Sequence, residues 1–153
     1  MIKNPYMEEA IKEAWNAFHK GEVPVGTVIV RDGKILSRAH NLRETCHQAT
    51  AHAELLAIEE ACKLLGSWRL EDCDLYVTLE PCPMCAGAII NARVRTVYFG
   101  AYDAKGGACG SVTDLLKKGL FNHTPEVYAG IMEDACEQPL KEFFQKLRAF
   151  AST

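Results

Sequence analysis

No run of apolar residues in this chain approaches the about 20 that a helix needs to span a bilayer. The first residues lack the basic-then-apolar pattern of an export signal, with Lys3, Asn4 and Pro5 inside the first seven positions. A membrane-spanning or exported protein is therefore not expected, and the expected location is cytoplasmic. Repeats, low-complexity tracts and linkers are absent too. The 153 residues read as one domain, 1–153, long enough to bury a sizeable core. Positive charge is not in excess: 17 Lys and Arg face 20 Asp and Glu, a formal net charge of −3. Binding of nucleic acid by bulk charge is thus excluded, and an RNA enzyme would need its basic residues gathered locally. There is no second Cys-x-x-Cys to close a four-ligand structural zinc site. Seven cysteines without an export signal fit a reducing compartment, where thiols serve metals or cores.

Two short motifs stand out. His52-Ala53-Glu54 supplies an imidazole and a carboxylate, and Pro81-Cys82-Pro83-Met84-Cys85 supplies two thiols. Cysteines three apart on the first turn of a helix share a face and can grip one ion. Pro81 and Pro83 suit such a start, where backbone N–H groups are unpaired anyway. The positive end of the helix dipole favours thiolate there. His52, Cys82 and Cys85 are then three candidate zinc ligands, and three protein ligands with an open fourth position mark catalytic rather than structural zinc. Glu54, two residues past His52, is placed as general acid/base for a water that the metal acidifies. A lone His or lone Cys pair would say far less. Together, H-x-E and P-C-x-x-C form the signature of zinc nucleobase deaminases. Cys46, Cys62, Cys73, Cys109 and Cys136 read as small buried or half-buried residues.

The remaining pattern predicts the scaffold. Apolar residues at Ile11, Ala14, Trp15 and Phe18 predict a helix over 6–20, stopped by Gly21. Strands are expected at 25–30 and 34–39, joined by the tight turn Asp32-Gly33. A helix over 51–65 is expected, with Thr50 as N-cap and Gly66 at its end. The nearly all-apolar 75–79 reads as a central strand. It delivers Cys82 to a helix over 82–91. A strand at 94–99, a Gly-rich loop, a short helix at 112–118, a strand at 127–129 and a helix at 134–150 complete the chain. This order predicts an α/β fold, a three-layer α/β/α sandwich around a five-stranded mixed sheet. Arg31, Lys34, Arg38 and Arg43, with Arg93, Arg95, Lys105, Lys117 and Lys118, are expected to form a basic face near the pocket.

The chain resembles the bacterial tRNA-specific adenosine deaminases, within the cytidine-deaminase-like superfamily. The resemblance rests on Gly21 to Gly26, His40-Asn41, Thr50 to Glu54, Leu75 to Cys82, Asp103-Ala104-Lys105 and Phe143-Phe144, spread over nearly the whole sequence. It implies the cytidine-deaminase-like fold, one Zn2+ per subunit, a homodimer and a tRNA anticodon stem-loop as substrate, with tRNA-Arg the first choice. It also implies roles residue by residue. Asn41 would bond the flipped adenine or its ribose, and Val25 and Ala53 would line the base pocket. The Cys82 N–H would help hold the reacting group. Asp103 would sit by the sugar and Lys105 near phosphate. Asn122 and His123 would meet the anticodon loop, and Phe144 would pack on RNA or close the pocket. Read as residues alone, Asn41 and Asp103 serve equally as turn residues and Phe144 as core. Ala49 and Thr124 depart from the family pattern, the second where a basic residue is common.

The expected reaction is hydrolytic deamination of adenosine to inosine at the wobble position, with a zinc-bound water as nucleophile and Glu54 as proton shuttle. Two alternatives stay open: a free nucleobase or nucleoside deaminase acting on guanine, cytosine or cytidine, and a non-catalytic zinc-stabilised RNA-binding module. The second leaves Glu54 without a purpose.

Overall fold

The computed structural model describes residues 2–151. Helix α1 (Pro5–His19) begins at Asn4, whose side chain accepts from the backbone N–H of Tyr6 and Met7. Its buried stripe is Met7, Ala10, Ala14 and Ala17. Strands β1 (Gly26–Arg31) and β2 (Lys34–His40) form a hairpin. Asp32 and Gly33 between them both have positive φ, the geometry that matches strand twist in a two-residue turn. Next come α2 (Arg43–Cys46), α3 (Ala53–Leu65), β3 (Cys73–Leu79), α4 (Pro83–Ala92), β4 (Thr96–Ala101), β5 (Glu126–Tyr128) and α5 (Glu133–Ala151).

The strands line up in the order β2-β1-β3-β4-β5. β1 is antiparallel to both neighbours, whereas β3, β4 and β5 run parallel, so the sheet is mixed, with β3 at its centre. Successive side chains alternate between the two faces. Val28, Val30 and Tyr76 join Met7, Ala10 and Cys136 under α1 and α5. Ile29, Leu75, Val77, Val97 and Phe99 join Ala57, Ala61 and Ile89 under α3 and α4. The predicted three-layer sandwich is the observed one. Among the described residues, no helix is long and apolar enough to cross a membrane.

Two expectations need correction, and one element is new. Thr50 does not cap α3; the N-cap is His52, which makes no side-chain capping bond. Residues 112–118 form no helix. Instead Cys109 and Asp114 pair as an isolated bridge, and Leu115 donates to the Ala108 carbonyl, so the segment folds back on the glycine loop. Helix α2 was not expected. It is too short to show a periodicity, and a distant carboxylate holds it.

Register fixes which end of the sheet carries the chemistry. Thr27 pairs with Val77, and Arg31 with Cys73. Val25 therefore lies at the end where β3 stops and Pro81-Cys82 begins. Gly26 lets α1 reach the sheet there: a Cβ would overlap the Ala10 carbonyl oxygen and come 2.5 Å from the Ala14 backbone nitrogen. Those are backbone atoms of a packed helix and cannot swing aside. We expect Gly26→Ala to destabilise the fold by about 1–3 kcal/mol, the usual cost of overpacking. An unchanged denaturant midpoint would contradict this packing.

Candidate active site

Helices α3 and α4 begin beside each other, and their N-cap residues are His52 and Cys82. Ser, Thr, Asp or Asn commonly fill such positions and bond the first turn. Here neither side chain makes a capping bond. Both turn instead toward a common point, together with Cys85 from the first turn of α4. His52 Nδ1 lies 3.6 Å from Cys82 Sγ and 3.5 Å from Cys85 Sγ. All three donor atoms fall within 4.8 Å of one another. A tetrahedral zinc ion with its usual bond lengths separates nitrogen and sulfur ligands by about 3.5 Å. The triangle thus fits zinc in both spacing and donor chemistry. Among the described residues no fourth His, Cys, Asp or Glu joins the group.

The donors influence each other's protons. Hydrogen bonding from Cys85, helped by His52, pulls the Cys82 thiol down to about 4. Cys85 is pushed up, first by that same contact and then by burial. His52 is raised, chiefly through its bond to Cys82. Cys82 therefore has thiolate character, the form that binds metal.

A cleft of about 190 Å³ opens beside the triangle, lined by Val25, Asn41, His52, Ala53, Glu54 and Asp103 among others. That is below the usual 300–1,000 Å³ of sites for drug-sized ligands. It suits one planar base with the rest of its molecule outside. A larger groove over Leu36, Arg38 and Glu60 holds none of this chemistry.

Buried Glu54 and Glu80 line the cleft, and buried Glu22 holds the segment after Asn41; the three differ electrically. Glu54 is 4% exposed, and burial pushes its carboxyl up to about 7. Near that value a carboxyl can both take and give a proton at neutral pH. Glu22 and Glu80 are as buried, at 1% and 2% exposed. Burial acts upward on them too, but hydrogen bonds outweigh it and hold both below the usual carboxylate range. They accept bonds and are not poised for proton transfer.

The sequence matches the MafB19-like deaminase family over residues 1–148. It is 58% identical to a tRNA-specific adenosine deaminase of Bacillus subtilis, over 94% of this chain and 89% of the relative. A solved structure from a study of A-to-I editing by tRNA:A34 deaminases at the wobble position superposes with a TM-score of 0.87. It is 44% identical and covers 90% of this chain and all of its own. The chain belongs to the tRNA-specific adenosine deaminase family. A solved guanine deaminase from Bacillus subtilis is also similar, at 34% identity and TM-score 0.64, over all of this chain and 98% of its own.

Of the residues to which the family resemblance gave roles, Val25, Asn41, Ala53 and Asp103 line the cleft with His52, Glu54 and Cys82. Asn41 is buried and ties the wall together: its amide nitrogen donates to the Val23 carbonyl, and its oxygen accepts from the Arg43 N–H. One oxygen of Asp103 accepts from the N–H groups of Lys105 and Gly106, a turn of its own making. The exposed Lys105 and Asn122 lie outside the cleft lining. His123 also lies outside it, with Nε2 2.7 Å from the Val94 carbonyl oxygen. Phe144 packs edge-on against Phe143 and borders a separate depression with Tyr102.

The expected basic face is only partly assembled. Arg31 and Arg95 pair with Asp72 and Asp74 at the end of the sheet away from the cleft, and Arg38 pairs with Glu9. Arg43 does line the cleft.

Sequence reasoning missed Glu22 and α2. Glu22 accepts from the backbone N–H groups of Glu44 and Thr45 and from the Thr45 hydroxyl. It thereby caps α2 from a remote segment and fixes the loop that carries Asn41 and Arg43. The signal was present as an acidic residue among buried neighbours, but its partners are more than 20 positions away. We expect Glu22→Ala to cost about 0.5–2 kcal/mol, the usual worth of a lost helix N-terminal cap, and to speed amide exchange at Glu44 and Thr45. Unchanged exchange at those two amides would contradict the capping role.

Proposed function

We propose that this chain converts adenosine to inosine at the wobble position of a tRNA, with tRNA-Arg as the first substrate to test. It acts in the cytoplasm as a one-domain subunit, 1–153, of a homodimer with one Zn2+ per subunit. The observation that carries the reading is the His52–Cys82–Cys85 triangle sharing a base-sized cleft with buried Glu54. The similarity to proteins named as tRNA-specific adenosine deaminases supports the substrate class.

His52, Cys82 and Cys85 would hold the zinc, which when bound would act as a Lewis acid and bring the pKa of water toward neutrality. Glu54 takes a proton from the attacking water and passes it to the ring nitrogen beside carbon 6. It then takes the remaining proton of that water from the oxygen now on carbon 6 and delivers it to the departing amino group, so the carbon–nitrogen bond breaks as the carbonyl forms. Water is consumed, ammonia leaves, and carbon 6 keeps the oxygen. Val25 and Ala53 hold the base by apolar contact and exclude bulk water. Asn41 meets the base or ribose, the Cys82 N–H steadies the reacting group, and Asp103 faces the sugar. Lys105, Asn122, His123 and Phe144 meet the RNA beyond the cleft, where the exposed Lys105 can reach phosphate and the exposed Phe144 an unpaired base. Helix α4 and the segment before Thr96 form the dimer contact. Exposed Trp68, Leu120 and Phe121 add uncovered apolar surface.

One other reading has an observation behind it: similarity to a guanine deaminase keeps free-base deamination in play. The deciding assay follows ammonia and inosine from an arginine-anticodon stem-loop beside free adenosine, cytidine and guanine. Inosine should form in the RNA alone. Turnover of a free base alone would replace the substrate and leave the zinc chemistry standing. Glu54→Ala should keep zinc and RNA binding and lose at least the roughly 10²–10⁴-fold that general acid/base catalysis provides. Near-normal turnover by that variant would refute the role of Glu54.

A further inference from the structure

We infer that Glu80 is a positioning residue that locks the wall carrying Asp103 to the strand end carrying Cys82. Glu80 is the residue after β3, two before Cys82, and is 2% exposed. Its own N–H donates to the Ala101 carbonyl at the end of β4, which fixes its backbone in the sheet. Its carboxylate meets four donors, all from the one loop after β4. Oε1 accepts from the Asp103 N–H at 3.1 Å and from the Ser111 hydroxyl. Oε2 accepts from the N–H groups of Cys109 and Ser111, each at 3.0 Å.

An ionised carboxylate offers about four acceptor sites and no donor. Four donors use that capacity, so Glu80 has none to spare for a substrate, although it borders the cleft. Gly107 shows how tightly the loop wraps the carboxylate: a Cβ there would overlap it. The Ala108 N–H also donates to the Pro81 carbonyl, tying the same loop to the residue just before Cys82. Asp103 and the metal-ligand segment are thereby held as one body.

This inference rests on the adenosine-deaminase reading for its kinetic consequence but not for its structural one. In Glu80→Gln, one carboxylate oxygen becomes an NH2 that faces at least one backbone N–H of the loop, so at least one of these bonds must break and the loop opens more easily. Two measurements on the intact protein test it. Amide exchange should rise at Asp103, Cys109 and Ser111 and stay unchanged across β1, β3 and β4. Single-turnover conversion of a saturating arginine-anticodon stem-loop should slow at least fivefold, with zinc content unchanged.

Unchanged exchange in the loop, sheet-wide loss of protection, loss of zinc, or a rate within fivefold of the parent would each overturn the inference. If the parent protein makes no inosine, the functional reading fails, and the exchange measurement alone decides the role of Glu80. Should Glu80→Gln not fold, Ser111→Ala removes only the hydroxyl donor. It should still raise exchange at Asp103 and Ser111, and unchanged exchange there would overturn the inference.

Discussion

Two helix starts meet at one end of the sheet, and the donor triangle exists because they do. Helix α3 follows β2 on the edge side of β1, while α4 follows the central strand β3. The antiparallel pairing of β1 with β3 sets Val25 beside the end of β3. At both starts the N-cap side chain is withheld from its own helix. Each withheld cap forgoes about 0.5–2 kcal/mol of local stability. That loss is the local signature of a site: His52 and Cys82 face each other instead of their backbones. The fold supplies the convergence, and three soft or borderline donors are a set compatible with zinc.

Around that joint one residue type serves opposite ends. Glu54 is buried and titrates near neutrality, so its proton is mobile. Glu22 and Glu80 are buried to the same degree but saturated by donors, so their charge is fixed. Each holds one wall of the cleft, Glu22 the segment with Asn41 and Arg43, Glu80 the loop with Asp103. Environment, not residue identity, divides the carboxyl near neutrality from the two anchors.

Much of this was legible in the chain. Apolar runs, turn signals and helical spacing located all five strands and four of the five helices of the described residues. The His-x-Glu and Cys-x-x-Cys spacings picked out the triangle and Glu54, because those relations are local. What failed was decided at long range. Thr50 has the right chemistry for a cap, but the chain does not enter α3 until His52. Residues 112–118 look helical in isolation, yet bonds from Cys109 and Ser111 to Glu80 hold the preceding loop so that they fold back across it. Helix α2 depends on a carboxylate from the segment before β1. The basic stretches looked like one face, but strand register sends Arg31 and Arg95 to the far end of the sheet, where aspartates meet them. Roles implied for Lys105, Asn122, His123 and Phe144 concern surfaces outside the cleft, which side-chain packing within the chain does not define.

The central claim is that His52, Cys82 and Cys85 form an open three-ligand zinc centre. X-ray absorption at the zinc edge of the purified protein tests it most directly. The account predicts one zinc per chain with two sulfur neighbours at about 2.3 Å and nitrogen or oxygen neighbours at about 2.0–2.1 Å. Four sulfur neighbours, or a purified chain that takes up no zinc when it is offered, would contradict it.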